Sequence, residues 1–158
     1  MRRETVVLSV VALLLRAPAL ADQAAHRADV EQKSEGVMPF SMALTKHVFT
    51  PTANGGTQAV LVPDGDGKQI ALVRSHLRKE SAAFARGDYS DPAAIHGSAM
   101  PGLAALQRSR GKIAVNYADI SGGAKIVFVT HDAQLVDALH RWFSAQVRDH
   151  GSHAAMKM

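Results

Sequence analysis

Two glycine-rich turns, Asn54-Gly55-Gly56 and Ser121-Gly122-Gly123, each lie between two short strand-like runs. Each return run leads into a stretch with helical apolar spacing. This repeated order constrains the fold more than any other feature. Asn and Gly accept positive φ cheaply, so both turns read as hairpin tips. Leu44 to Pro51 and Gln58 to Val62 flank the first tip, and Lys112 to Tyr117 and Lys125 to Thr130 flank the second. Asp66 stands where a helix N-cap is needed, with Gln69 completing a capping-box pattern. Ile70, Val73, Leu77 and Phe84 then recur on one helical face, and Gly87 supplies a stop. After the second hairpin, Thr130 or Asp132 caps a stripe of Leu135, Leu139, Trp142, Phe143 and Val147. Each hairpin has one face to bury and each helix one stripe to offer. The fold class expected is α+β: two ββα units forming an antiparallel sheet of about four strands, with helices on one face. Asp91 to Pro101-Gly102 reads as a loop between the units, followed by a short helix through Leu103 and Leu106.

The ends read differently. Arg2 and Arg3, the apolar run Thr5 to Leu15, and Ala19-Leu20-Ala21 form the three parts of a secretory signal peptide over residues 1–21. Arg16 and Pro18 interrupt the apolar run before it could span a bilayer, so no stable membrane insertion is expected after cleavage. Residues 22–43 read as a flexible lead-in, 44–150 as a single domain, and 151–158 as a polar His/Met-containing tail. The compartment expected is periplasmic or extracellular. Loss of residues 1–21 removes Arg2, Arg3, Arg16 and Glu4, which lowers the formal charge of +4 by two. The remaining basic residues are scattered, which argues against a nucleic-acid partner. With Cys 0, thiol catalysis, thiolate metal sites and iron–sulfur clusters are excluded.

Histidine is the abundant chemical residue, with 8 in the chain. His96 and Met100 lie in the segment Ile95-His96-Gly97-Ser98-Ala99-Met100-Pro101-Gly102, where they could converge on a soft cation, or His96 could act as a base. His150, His153, Met156 and Met158 crowd the C-terminus. Imidazole with thioether suits Cu(I), and imidazole suits Cu(II), so copper is the metal these donors favour. Met38 and Met42 could add thioethers. His47 falls mid-strand on the same face as Thr45 and Phe49; if Val48 faces the core, His47 is exposed or points into a partner groove. His76 and His140 lie at the edges of their helical stripes, where a ring packs one side against the core. The chain contains no His-Glu-x-x-His, Gly-x-Ser-x-Gly, P-loop or dinucleotide-binding glycine pattern.

Several runs carry a family resemblance: His47-Val48-Phe49, Asn54-Gly55-Gly56, Gln69 to Leu77, Phe84 to Tyr89, Asp91 to Gly97, Met100-Pro101-Gly102-Leu103 and Ala138 to Phe143. Across roughly Leu44 to Gly151 the chain resembles short exported bacterial proteins of unestablished function, often labelled aspartate carbamoyltransferase. The resemblance implies that His76, His96, Met100 and His140 belong to a shared pattern. The Ser-Thr-Arg-Thr and His-Pro-x-Gln motifs of that enzyme are absent, so its activity is not expected.

The expectation is therefore an exported metal-binding protein, with copper as the metal. His96 and Met100 are the first ligand candidates, His47, His76 and His140 the next, and the His/Met tail an auxiliary capture site. The alternatives are a small-molecule binding or enzymatic domain using His96, and an interaction domain without a site.

Overall fold

Alternating side chains on the strands of both hairpins must bury one face, and the helices supply the cover. The computed structural model describes residues 16–158. Strands β1 (Lys46–Thr52) and β2 (Gly55–Leu61) form the first hairpin, β3 (Ala114–Ile120) and β4 (Gly123–Val129) the second. The two units join through their return strands, β2 antiparallel to β4, with Gln58 opposite Ile126. A short strand β5 (Ala154–Met156) lies parallel to β1, giving one mixed five-stranded sheet in the order β3-β4-β2-β1-β5. The α+β class is as the sequence implies. The strand count is five rather than about four, because the tail joins the sheet: Ala154 pairs with His47, and the Lys157 amide donates to the Phe49 carbonyl at 2.8 Å.

Among the described residues five helices accompany the sheet: α1 (Arg16–Val37), α2 (Gly67–Ala85), α3 (Ser90–His96), α4 (Leu103–Gln107) and α5 (Ala133–His150). Helices α2 and α5 pack on the sheet, α2 against β3 and β4, α5 against β1, β2 and β5. Between them lies the core of Phe49, Val60, Ile126, Phe128, Leu77, Phe84, Leu139, Trp142 and Phe143. The Asp66 carboxylate caps α2, accepting from the Lys68 and Gln69 amides, and Asp132 caps α5 from Gln134 and Leu135. The capping box is not completed: Gln69 Oε1 instead accepts from the Ser41 amide at 2.9 Å, tying the segment before β1 onto α2.

Two further segments depart from expectation. Asp22 to Gly36, read as a flexible lead-in, belongs to α1, which packs on α3 and α5 and buries Val30 and Ser34. Asp91 to His96, read as loop, is helical; Pro92 lies in the first turn of α3, where its missing N–H has no helical partner to lose. Gly102 adopts φ 82° ahead of α4, and a Cβ there would stand 2.0 Å from the Ala138 carbonyl oxygen, so only glycine lets α4 close on α5. Of the expected signal segment, Arg2, Arg3 and Thr5 to Leu15 lie outside the described residues, and Ala19-Leu20-Ala21 falls within α1. No described helix is long and apolar enough to cross a membrane.

Candidate functional site

The phase of β1 decides where the site lies. Phe49 is too large to stand in water on the uncovered face, so it turns towards the helices, and His47 turns with it. His47 is 2% exposed and Val48 half-buried on the opposite face, the reverse of the alternation read from the sequence. Three other elements bring histidines to the same place. His76 comes from the middle of α2, His96 from the last residue of α3, and His150 from the last residue of α5. All four line one cavity of about 40 Å³, together with Met38, Glu80 and Asp91.

The rings are in contact. His47 stacks on His150 with centroids 5.1 Å apart, and His96 meets His150 edge-on at 4.8 Å. Phe40 packs on His76 at 5.6 Å and His47 at 6.0 Å, closing one wall with apolar surface. His96 Nδ1 lies 3.1 Å from Asp149 Oδ2. Burial pushes the Asp149 carboxyl up, but the hydrogen bond and charge of His96, with Arg148 and His26, hold it below the ordinary carboxylate value. An ionised carboxylate only accepts, so His96 presents its Nδ1–H to Asp149. This is the outer-shell arrangement that orients a metal-binding imidazole.

Burial sets the charge state of the other rings. His47 is lowered to about 3 by desolvation, then by its histidine neighbours. His150 is lowered to about 2 by desolvation, then by His47 and His96, and His76 to about 4 by desolvation and Lys79. These rings are neutral near pH 7 and offer free lone pairs. On the far wall Glu80 is 5% exposed and is raised to about 7 by burial and then by Asp91. Lys79 closes that wall from outside, with Nζ 2.9 Å from Asp91 Oδ2.

Several polar atoms around the cavity lack a hydrogen-bond partner. His47 Nδ1, Gln58 Oε1 and Trp142 Nε1 are buried and unpaired, all on residues that line it. Packing alone gives no reason to leave an imidazole nitrogen desolvated and unpaired. Among the described residues, no three His, Cys, Asp or Glu side chains converge closely enough to hold a metal ion as they stand.

The other sequence candidates lie elsewhere. Met100 is buried in the core and borders a separate groove with Ser98, Arg108 and Arg141, so the proposed pairing of His96 with Met100 is not made. His140 Nε2 is hydrogen-bonded to the Gly55 carbonyl at 2.8 Å, which fixes α5 to the tip of the first hairpin. His153 lines a second cavity beside Asp149 and His150. Met156 sits half-buried in β5 against the core, and Met158 is exposed, so the tail is not a free His/Met strand. Glu80, Gln58 and Asp149 were not singled out from sequence. Glu80 had a signal: an acidic residue four positions after His76, next to the apolar stripe of α2.

Scans of protein-family profiles, of curated proteins and of solved structures each give no match to the chain.

Proposed function

We propose that the protein is an exported metal-binding protein whose site is the histidine-lined cavity, with copper as its metal. His47, His96 and His150 are the imidazole donors, and Asp149 orients His96. His76 and Met38 stand on the same cavity wall as additional donors. The observation that carries this reading is the meeting of four imidazoles, from four separate elements, around a space of about 40 Å³. Two imidazoles sharing one tetrahedral ion at about 2.0–2.1 Å have ring centres about 5 Å apart. The two ring pairs centred on His150 are already at that spacing, 5.1 and 4.8 Å. Coordination requires the rings to turn, because His47 and His150 lie stacked at 20° to each other. The space holds an ion or one to a few waters; a metabolite site is typically several hundred Å³. Imidazole and thioether donors without cysteine favour copper over harder ions. Export rests on the Arg2-Arg3, Thr5 to Leu15 and Ala19 to Ala21 pattern. Edman sequencing of protein recovered from the exported fraction, starting at Asp22, is its check.

Trp142, the single tryptophan, lines the cavity and reports on it directly. Cu(II) should quench its fluorescence with a stoichiometry of one, and Cu(I) should compete with a chromogenic chelator. Replacing His47, His96 and His150 together by alanine should weaken binding by well over tenfold, since disturbing even an outer-shell partner costs about 10–100-fold. Unchanged affinity in a folded triple variant ends the proposal. Zinc binding tighter than both copper states would keep the site and change the metal.

A second reading has one observation in its favour. Glu80, its carboxyl raised to about 7 by burial and Asp91, faces the same cavity as the His96–Asp149 pair, an arrangement suited to acid–base work on a very small substrate. A rise in melting temperature with a small neutral ligand, in metal-free buffer, would favour it over metal binding.

A further inference from the structure

A second cavity, of about 190 Å³, lies on the other side of His150 and is walled by Arg27, Glu31, Asp149 and His153. His150 lines both cavities. Asp149 connects them chemically. Its Oδ2 holds His96 of the inner cavity, while Oδ1 makes no hydrogen bond although the residue is only 3% exposed. A desolvated carboxylate oxygen that makes no hydrogen bond, with the Arg148 guanidinium as its charge partner at 3.3 Å, keeps acceptor capacity for a cation. His26 of α1 also reaches Asp149 Oδ2, at 3.4 Å. Two guanidinium groups stand nearby. Arg27 Nε donates to the Arg148 carbonyl at 2.9 Å, and Arg148 Nε stands 3.3 Å from Asp149 Oδ1 without a hydrogen bond.

We infer that this outer chamber is a second metal station, through which the ion reaches the inner cavity by way of His150. The inference rests on the proposed metal-binding function. Glu31 is exposed and His153 half-buried, so both meet solvent before the inner histidines do. His153 and Asp149 hold the ion weakly in a wet, larger space. His150 then takes it, because the inner imidazoles offer more nitrogen donors in drier surroundings. The ring of His150, in contact with both His47 and His96, is placed to pass the ion on without full rehydration.

The test is stopped-flow quenching of Trp142 by Cu(II), compared between the full chain and the double variant Glu31→Gln, His153→Ala. Both substituted positions are solvent-accessible, so the fold should be retained; an unchanged far-ultraviolet spectrum and melting temperature would verify it. Removing charge at a site's mouth acts on rates, by factors of about ten and upward. The expected result is loading and release both slowed about tenfold, with equilibrium affinity unchanged and a weaker second equivalent of Cu(II) lost from calorimetry. Unchanged loading and release rates would overturn the inference while leaving the inner site intact. Faster release with lower affinity would also overturn it, by making these residues ligands of the inner site. Absence of any quenching in the unmodified chain would overturn the metal-binding proposal and the relay with it.

Discussion

The two hairpins are built alike, and only one of them carries the candidate site. Their strands have the same lengths and the same register, so His47, Phe49 and Pro51 of β1 occupy the positions that Val115, Tyr117 and Asp119 occupy on β3. Both triplets point to the helix-bearing face. On β1, His47 and Phe49 are almost fully buried; on β3, Val115 and Tyr117 are half-buried and Asp119 is exposed. The difference is cover. Strand β1 is flanked by β5 and overlain by the end of α5, with α1 and α3 closing behind. Strand β3 is an edge, and its outer positions are held by surface contacts: Arg78 lies 4.9 Å over the Tyr117 ring, and Arg74 and Arg78 each stand 3.6 Å from Asp119. The repeated hairpin–helix unit makes the scaffold. Residues of the repeat line most of the cavity, and Met38, Phe40 and α3, outside the repeat, shut that end of it; at the other end α2 covers β3 only in part.

The sharpest way to break this comparison is to truncate the twin aromatic residues. Phe49→Ala removes a fully buried ring that packs 5.2 Å from Phe143, and it should destabilise the chain by about 3–5 kcal/mol. Tyr117→Ala removes a half-exposed ring with one cation–π contact and should cost only about 1 kcal/mol. Chemical denaturation of the two variants measures both values. Equal losses would mean that the two ends are equally covered and that the contrast is wrong.

The same division explains what was readable in the sequence. The hairpins and main helices were legible because period-two and period-3.6 patterns, turn glycines and the caps Asp66 and Asp132 are local signals. Residues of the cavity were legible only singly. His47, His76, His96 and His150 were each visible as histidines, but their meeting depends on long-range closure that no local pattern encodes. The phase of β1 was misread because Val48 and His47 were weighed without the bulk of Phe49 beside them. The tail was misread because three residues of parallel pairing carry no sequence signature of their own. Met100 looked like a partner for His96 by proximity in the chain, yet Gly97, with positive φ, turns the backbone between them, and Met100 enters the core.

Acid should act on the covered end first. His47, His76 and His150 have folded values of about 3, 4 and 2, all below their ordinary value of 6.5. As pH falls below 6.5, the unfolded chain takes up these protons and the folded chain does not, so stability is lost. Glu80 works the other way: its folded value of about 7 lies above 4.5, so between those limits the folded chain binds the extra proton and is favoured by acid. Three protons against one leaves a net of about two, a loss of roughly 3 kcal/mol per pH unit between about pH 6 and 4.5. Below 4.5 the Glu80 offset ends and the decline steepens until His76 titrates near 4. Denaturation midpoints of the metal-free protein across this range would show the slope. A flat profile would mean that these rings are already protonated or solvated in the folded state.

The finest test exchanges a residue for its twin. His47→Val places on β1 what β3 already carries at Val115, and it removes the unpaired Nδ1 from the interior. Deleting a desolvated polar atom that has no partner should leave stability at neutral pH unchanged or raise it by about 1 kcal/mol. The acid slope should flatten by about 1.4 kcal/mol per pH unit, because one proton drops out of the balance. Copper affinity should fall at least about tenfold in the same variant, as it would when a donor is lost. That combination, a sturdier scaffold and a weaker site, would mark His47 as a residue held at a stability cost for binding. A variant that is clearly destabilised but still binds copper would reverse the assignment and make His47 a packing residue of the covered end.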